Sequence, residues 1–118
     1  MPIKSRWTIE AYTTERGEAP VWSFIRDLTG RDRVEAIALV KLLEEQGNQL
    51  RRPYSGVLGD GLFELRGKQV RIFYMFLPRR VIMLLAGEIK KRDAIPAKTL
   101  ALVRGYQQDV LRRQRKRG

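Results

Sequence analysis

The chain has 118 residues, enough for one domain with a core of its own, and it carries a net charge of +11. It contains no cysteine and no histidine, which excludes disulfides, thiolate metal sites and the commonest neutral-pH general base, so any catalysis falls to Lys, Arg, Tyr, Glu or Asp. No apolar run approaches the roughly 20 residues of a membrane helix, and the N-terminus has no signal-like apolar stretch, so a soluble, cytoplasmic protein is expected.

Trp7 to Tyr12 alternates and is rich in strand formers, which predicts a first strand. A turn-like segment, Thr13–Ala19, leads to Pro20, placed where the first turn of a helix tolerates proline. Val21, Phe24, Ile25 and Leu28 then fall at helical spacing, and Thr29-Gly30 ends this short helix. Asp32 is the expected cap of a second helix running to Gln46, with Gly47 as its stop. Val34, Ile37, Ala38, Val40, Leu42 and Leu43 would give that helix a wide apolar face.

Gln49–Asp60, with Pro53, Gly56 and Gly59, reads as a loop. Three strands follow, Leu62–Arg66, Val70–Leu77 and Val81–Ile89, joined at Gly67-Lys68 and Pro78-Arg79-Arg80 as an antiparallel meander. Lys90–Ile95 is a basic connector, and Pro96 opens a last helix with Val103, Tyr106 and Val110 on one side. The expected fold class is α+β: a small antiparallel sheet, formed by the N-terminal strand and the meander, covered by the N-terminal helical hairpin and the C-terminal helix. Residues 1–111 would form the single domain. Residues 112–118 would be a basic tail, frayed or disordered.

The charge is unevenly placed. Residues 1–58 carry 9 basic and 8 acidic side chains, whereas residues 59–118 carry 15 basic and 5 acidic. A one-sided positive field attracts polyanions, nucleic acid above all.

The segment Gly61–Tyr74 carries the candidate chemistry. If Gly67-Lys68 forms a two-residue turn, Arg66 pairs with Gln69 and Glu64 lies opposite Arg71. Alternation then places Glu64, Arg66, Gln69 and Arg71 on one open face, and Phe63, Leu65, Val70, Ile72, Tyr74 and Phe76 on the face under the helices. Two guanidinium groups at that range suit a phosphate clamp, because fixed cations stabilise the extra charge of a phosphorane without a metal. An ordinary cross-strand ion pair between Glu64 and Arg71 is the competing reading. Lys90-Lys91-Arg92 forms a second basic cluster, able to contact phosphate or to protonate a leaving oxygen, or simply a solvated charge run. Arg112, Arg113, Arg115, Lys116 and Arg117, with Lys68 and Arg92, are the remaining candidate RNA contacts. Tyr54 and Tyr106 could stack on a base.

The order of elements resembles the RelE/HigB toxins, in particular their phage-derived HigB-like branch. The resemblance rests on Pro20-Val21 with Phe24-Ile25, on Leu58-Gly59-Asp60-Gly61-Leu62-Phe63-Glu64-Leu65-Arg66, and on Arg71-Ile72-Phe73-Tyr74. It continues through Leu84-Leu85-Ala86-Gly87-Glu88-Ile89-Lys90-Lys91 and Pro96, and covers roughly residues 7–106 in unbroken order. It implies a sheet packed by helices on one side. It also implies a type II toxin that cleaves mRNA in the ribosomal A site through 2′-hydroxyl attack, without metal or other cofactor, and that is neutralised by a small antitoxin protein. Arg66, Arg71, Lys90 and Lys91 match the family's basic residues by position, and Glu64 joins them as a catalytic candidate. The branch often has a histidine where this chain has Ala86, and an apolar residue where it has Glu88. The base therefore stays open among Glu64, Glu88, Tyr74, a lysine and the ribosome, and a non-catalytic RNA- or ribosome-binding module on the same fold is the alternative.

Overall fold

A computed structural model describes residues 6–117. In chain order the elements are β1 (Thr8–Ala11), α1 (Pro20–Asp27), α2 (Gly30–Gln46), β2 (Ser55–Gly59), β3 (Leu62–Arg66), β4 (Val70–Leu77), β5 (Val81–Ile89) and α3 (Ala97–Arg117), with one 3-10 turn at Gly47–Gln49. The protein is α+β, with a five-stranded sheet in the order β1-β5-β4-β3-β2. No described helix is long and apolar enough to cross a membrane.

The sheet is mixed rather than wholly antiparallel. β1 lies parallel to β5, Thr8 beside Val81, because α1 and α2 carry the chain back across the sheet before the meander begins. A fifth strand, β2, arises inside the segment expected as a loop. Ser-Gly-Val-Leu-Gly has little strand preference of its own, and pairing with β3 supplies what propensity does not.

The helices cover both faces. Leu65, Val70, Ile72, Tyr74, Ile82 and Leu84 pack with Val21 and Leu28 and with Ala36, Leu39 and Leu43 of α2. Leu62, Phe73, Met75 and Leu85, of opposite parity, pack with Tyr12 and with Val103 and Val110 of α3. The face expected to be open is therefore roofed by α3. α2 begins at Gly30 behind Thr29, two residues before the expected cap Asp32, and ends as expected at Gly47, whose φ is 52°. Its buried stripe is narrower than expected: Ala36, Leu39 and Leu43 are interior, whereas Val34 and Ile37 face solvent.

α3 is docked by polar contacts as well as by its apolar stripe. The β2–β3 turn, Gly59-Asp60-Gly61, has three consecutive positive φ angles of 92°, 52° and 80°, and two of its carbonyls meet side chains of α3. Arg104 donates to the carbonyls of Gly59 (2.9 Å) and Leu58 (2.8 Å), and Gln107 donates to that of Asp60 (2.7 Å). Residues 112–117 are not a frayed tail; they complete α3. Arg112 and Arg113 both pair with Asp109, which also accepts a 2.6 Å bond from the Tyr12 hydroxyl, and Arg113 donates to the carbonyl of Thr13. That bond and the two guanidinium groups hold Asp109 below its ordinary pKa, and burial with the Asp109 hydrogen bond pushes Tyr12 up to about 12.

Candidate RNA-binding site

The β3–β4 hairpin turns one step later than expected. Arg66 pairs with Arg71, Leu65 with Ile72 and Glu64 with Phe73, so Lys68-Gln69 rather than Gly67-Lys68 occupies the tip. The cause lies on α2. The Glu35 carboxylate accepts hydrogen bonds from the backbone N–H groups of Lys68 (2.8 Å), Gln69 (3.0 Å) and Val70 (2.9 Å), which fixes the turn from outside. A Cβ at Gly67 would lie 2.5 Å from that carboxyl carbon, so the missing side chain is what lets Glu35 approach. The two-residue slip preserves parity, so Glu64, Arg66 and Arg71 still share a face.

That face does not expose both arginines. Arg71 is 1% exposed, and its guanidinium is enclosed by two carboxylates and two carbonyls, although Nε and the Glu64 Oε1 that it faces form no hydrogen bond. Nη1 lies 2.5 Å from Glu88 and Nε 3.1 Å from Glu64, while Nη2 donates to the carbonyls of Asp93 (2.8 Å) and Arg92 (3.3 Å). The expected Glu64–Arg71 pair exists, but as half of a buried cluster, and Glu88 stands directly across from Arg71 on β5. A lone buried guanidinium would be prohibitively costly; two carboxylates and two carbonyls make burial possible. Arg71 thereby clasps the segment that carries Lys91 and Arg92 against the end of the sheet.

Lys90 also has a structural task. Its Nζ donates to the Gly67 carbonyl (2.9 Å) and its backbone N–H to that of Gln69 (2.7 Å), bracing the same turn that Glu35 caps. Arg66 is one-third exposed and only loosely paired with Glu64, at 3.9 Å. Lys68, Lys91 and Arg92 are exposed. Arg66, Lys68, Lys90, Lys91 and Arg92 thus surround one end of the sheet, with Arg71 and its two carboxylates behind them.

Two concavities open among these cations. A groove of about 680 Å³ between α2 and the hairpin has Leu39, Leu42, Pro53 and the half-exposed Tyr54 as its apolar surface, and Arg66, Lys68 and Lys90 along its rim. A smaller cleft of about 380 Å³ beside the start of α3 is lined by Arg71, Glu88, Lys91, Arg92, Pro96 and Thr99. Among the described residues no carboxylates gather as a metal site would require.

The other candidates lie elsewhere. Tyr74 is buried on the α1–α2 face, bonded to Ser55 Oγ at 2.8 Å, so it does not face the Arg71 cluster. Tyr106 packs against Tyr12, with ring centroids 4.8 Å apart. Arg112, Arg113, Arg115, Lys116 and Arg117 sit at the far end of α3, about 20 Å along the helix from Thr99. Glu35 was not legible as part of the site, since it caps a turn more than thirty residues away.

The phage-derived protein Gp49-like (DUF891) family model matches residues 23–106, a span that begins within α1 and contains α2, the meander and the first half of α3. No curated protein matches the chain. With most of the chain covered, including the hairpin, the Arg71 cluster and the basic connector, the chain belongs to the phage-derived Gp49-like family.

Proposed function

We propose that the protein is the toxin of a type II toxin–antitoxin pair and an endoribonuclease that cleaves mRNA in the ribosomal A site. Its family belongs to the RelE/HigB-like toxin group. The observation that supports RNA as the substrate is the gathering of Arg66, Lys68 and Lys90 on a groove that offers Tyr54 as a stacking surface, with Lys91 and Arg92 on the smaller cleft.

In this reading the RNA backbone crosses the end of the sheet. Arg66, Lys91 and Arg92 contact the scissile phosphate, and a neighbouring base lies against Tyr54. The ribose 2′-oxygen attacks phosphorus, the bond from phosphorus to the 5′-oxygen breaks, and a 2′,3′-cyclic phosphate forms. The cations stabilise the charge that accumulates on the phosphorane more than they stabilise the ground state. Glu88, at the mouth of the cleft with one of its two oxygens on Arg71, is the proton acceptor, and Lys91 protonates the departing 5′-oxygen. Arg71, Glu64 and Lys90 act from behind as positioning residues that hold the basic connector and the hairpin tip in register. The ribosome and mRNA are partners in this reading, and a small antitoxin neutralises the protein.

One observation favours a second reading. Glu64 and Glu88 are both engaged by Arg71 and Glu35 caps the hairpin tip, which suits a module that binds RNA or ribosomes without cutting. Purified protein incubated with programmed ribosomes separates the two. Cleavage that disappears when the scissile nucleotide lacks its 2′-hydroxyl supports the nuclease; intact message on ribosomes that retain the protein supports the binding module.

A further inference from the structure

A second concavity, of about 580 Å³, lies on the α1–α2 side of the sheet, between the end of α2, the 51–55 segment and the strands. It shares no lining residue with the groove at Tyr54. Its size falls in the range of small-molecule sites. The wall is aromatic: Phe63 and Phe76 meet edge to face at 5.2 Å, and Phe63 stacks on Tyr74 at 5.5 Å.

The polar content of this wall is small and unusual. Ser55 and Tyr74 are 7% and 1% exposed and lie 2.8 Å apart, hydroxyl to hydroxyl. Two hydroxyls carry two protons, and the bond between them uses one. Each hydroxyl is thus paired with the other, and the second proton is left over for a ligand in the cavity. Burial pushes the Tyr74 phenol up, so it remains a neutral donor.

At the mouth stand Arg51 and Arg52, both exposed. Arg51 Nη1 donates to the carbonyls of Asn48 (2.7 Å) and Leu50 (3.3 Å), which orients the guanidinium and leaves its other N–H groups available. Arg52 has no ion pair among the described residues, and no carboxylate lines the cavity. A guanidinium pair at the mouth calls for an anion, an aromatic wall calls for a planar ring, and a donor–acceptor hydroxyl pair calls for a ring edge with adjacent donor and acceptor.

We propose that this cavity is a binding site for a single nucleotide unit, with its base against Phe63 and the Ser55–Tyr74 hydroxyl pair and its phosphate at Arg51 and Arg52. The site is separate from the cleavage reading and does not depend on it. The unit is either a free nucleotide or one residue of a single-stranded RNA.

The test is titration calorimetry on the full chain, without ribosomes. The probes are the four nucleoside 5′-monophosphates, ribose 5-phosphate, inorganic phosphate and short single-stranded RNA. At least one mononucleotide should bind on the order of tenfold more tightly than ribose 5-phosphate, the usual scale of a stacked base. Tyr74→Phe and Ser55→Ala should weaken the nucleotide and leave ribose 5-phosphate unchanged. Arg52→Ala should weaken both. RNA that binds more tightly than its mononucleotide, with the same sensitivity to Tyr74→Phe, identifies a strand as the natural occupant; a mononucleotide that binds while RNA does not identifies a free nucleotide. Ribose 5-phosphate binding as well as every nucleotide, or neither hydroxyl variant changing nucleotide affinity in a protein that melts normally, overturns the proposal. Because no ribosome is present, an absence of mRNA cleavage has no bearing on the result.

Discussion

Arg66 and Arg71 stand directly opposite each other across β3 and β4, yet Arg66 reaches solvent and Arg71 is sealed beneath the 92–93 backbone. Two arginines that the sequence presents as equals therefore have different work. Replacing Arg71 with Ala leaves Glu64 and Glu88 facing each other without their cation, and should cost about 3–5 kcal/mol. Replacing Arg66 with Ala should cost less than about 1 kcal/mol and, if the proposed nuclease reading holds, lower cleavage on the order of 10²-fold. Thermal melts beside ribosomal cleavage assays measure both. A normally melting Arg71→Ala protein would contradict the buried-clasp description.

Glu35 is the least conspicuous residue with a large expected effect. Glu35→Ala removes the acceptor of three backbone N–H groups at the hairpin tip, and stability should fall by about 1–3 kcal/mol. Amide exchange at Lys68, Gln69 and Val70 should accelerate more than in the rest of β4. Glu35→Gln should lie between, since its single carbonyl oxygen accepts fewer of these bonds. Uniform acceleration across the sheet would mean that the turn is held by the strands alone.

The Tyr12–Asp109 hydrogen bond predicts two pH limits. Asp109 is lowered below its ordinary value of 3.8, so the folded state binds fewer protons than the unfolded one in that range. Its stabilisation is present above 3.8 and is lost as pH falls through the lowered folded value. Tyr12 is raised from 10.0 to about 12, so above pH 10.0 the unfolded phenol ionises first and stability declines until both states have titrated. Melting curves of the parent against Asp109→Asn should converge in acid, and those of the parent against Tyr12→Phe should change their separation in acid, where Asp109 has lost its donor, and again above pH 10.0. A separation that drifts through neutral pH would assign the dependence to other groups.

Residues 112–117 separate into an anchored and a free part. Arg112 and Arg113 hold Asp109, so their joint replacement by Ala should lower the melting temperature. Replacing the exposed Arg115, Lys116 and Arg117 should leave melting nearly unchanged. If these three bind RNA, ribosome affinity should fall, and its log–log salt slope should become shallower by about 0.7 for each single-strand phosphate left without its cation. Sedimentation with ribosomes across a salt series reads the slope, and an unchanged slope would place these charges outside the interface.

Much of the fold was legible because it rests on local periodicity. The i, i+3, i+4, i+7 spacing from Val21 to Leu28 marks α1, and the alternation from Phe63 to Phe76 marks the hairpin and its inner face. The cationic half of the chain and the absence of histidine and cysteine could be read with no structure at all. β2 could not, since Ser55–Gly59 becomes a strand only against β3, and neither could the parallel pairing of β1, which depends on the path of two helices. The division between Arg66 and Arg71 was hidden for the same reason. Alternation assigns a side chain to a face, but what covers that face is set by residues far apart in the chain: Arg71 with Glu88 and the 92–93 carbonyls, and Glu35 with the turn it caps. Charge and periodicity are properties of neighbours along the chain, whereas burial and partnership are properties of neighbours in space, and only the tertiary structure determines those.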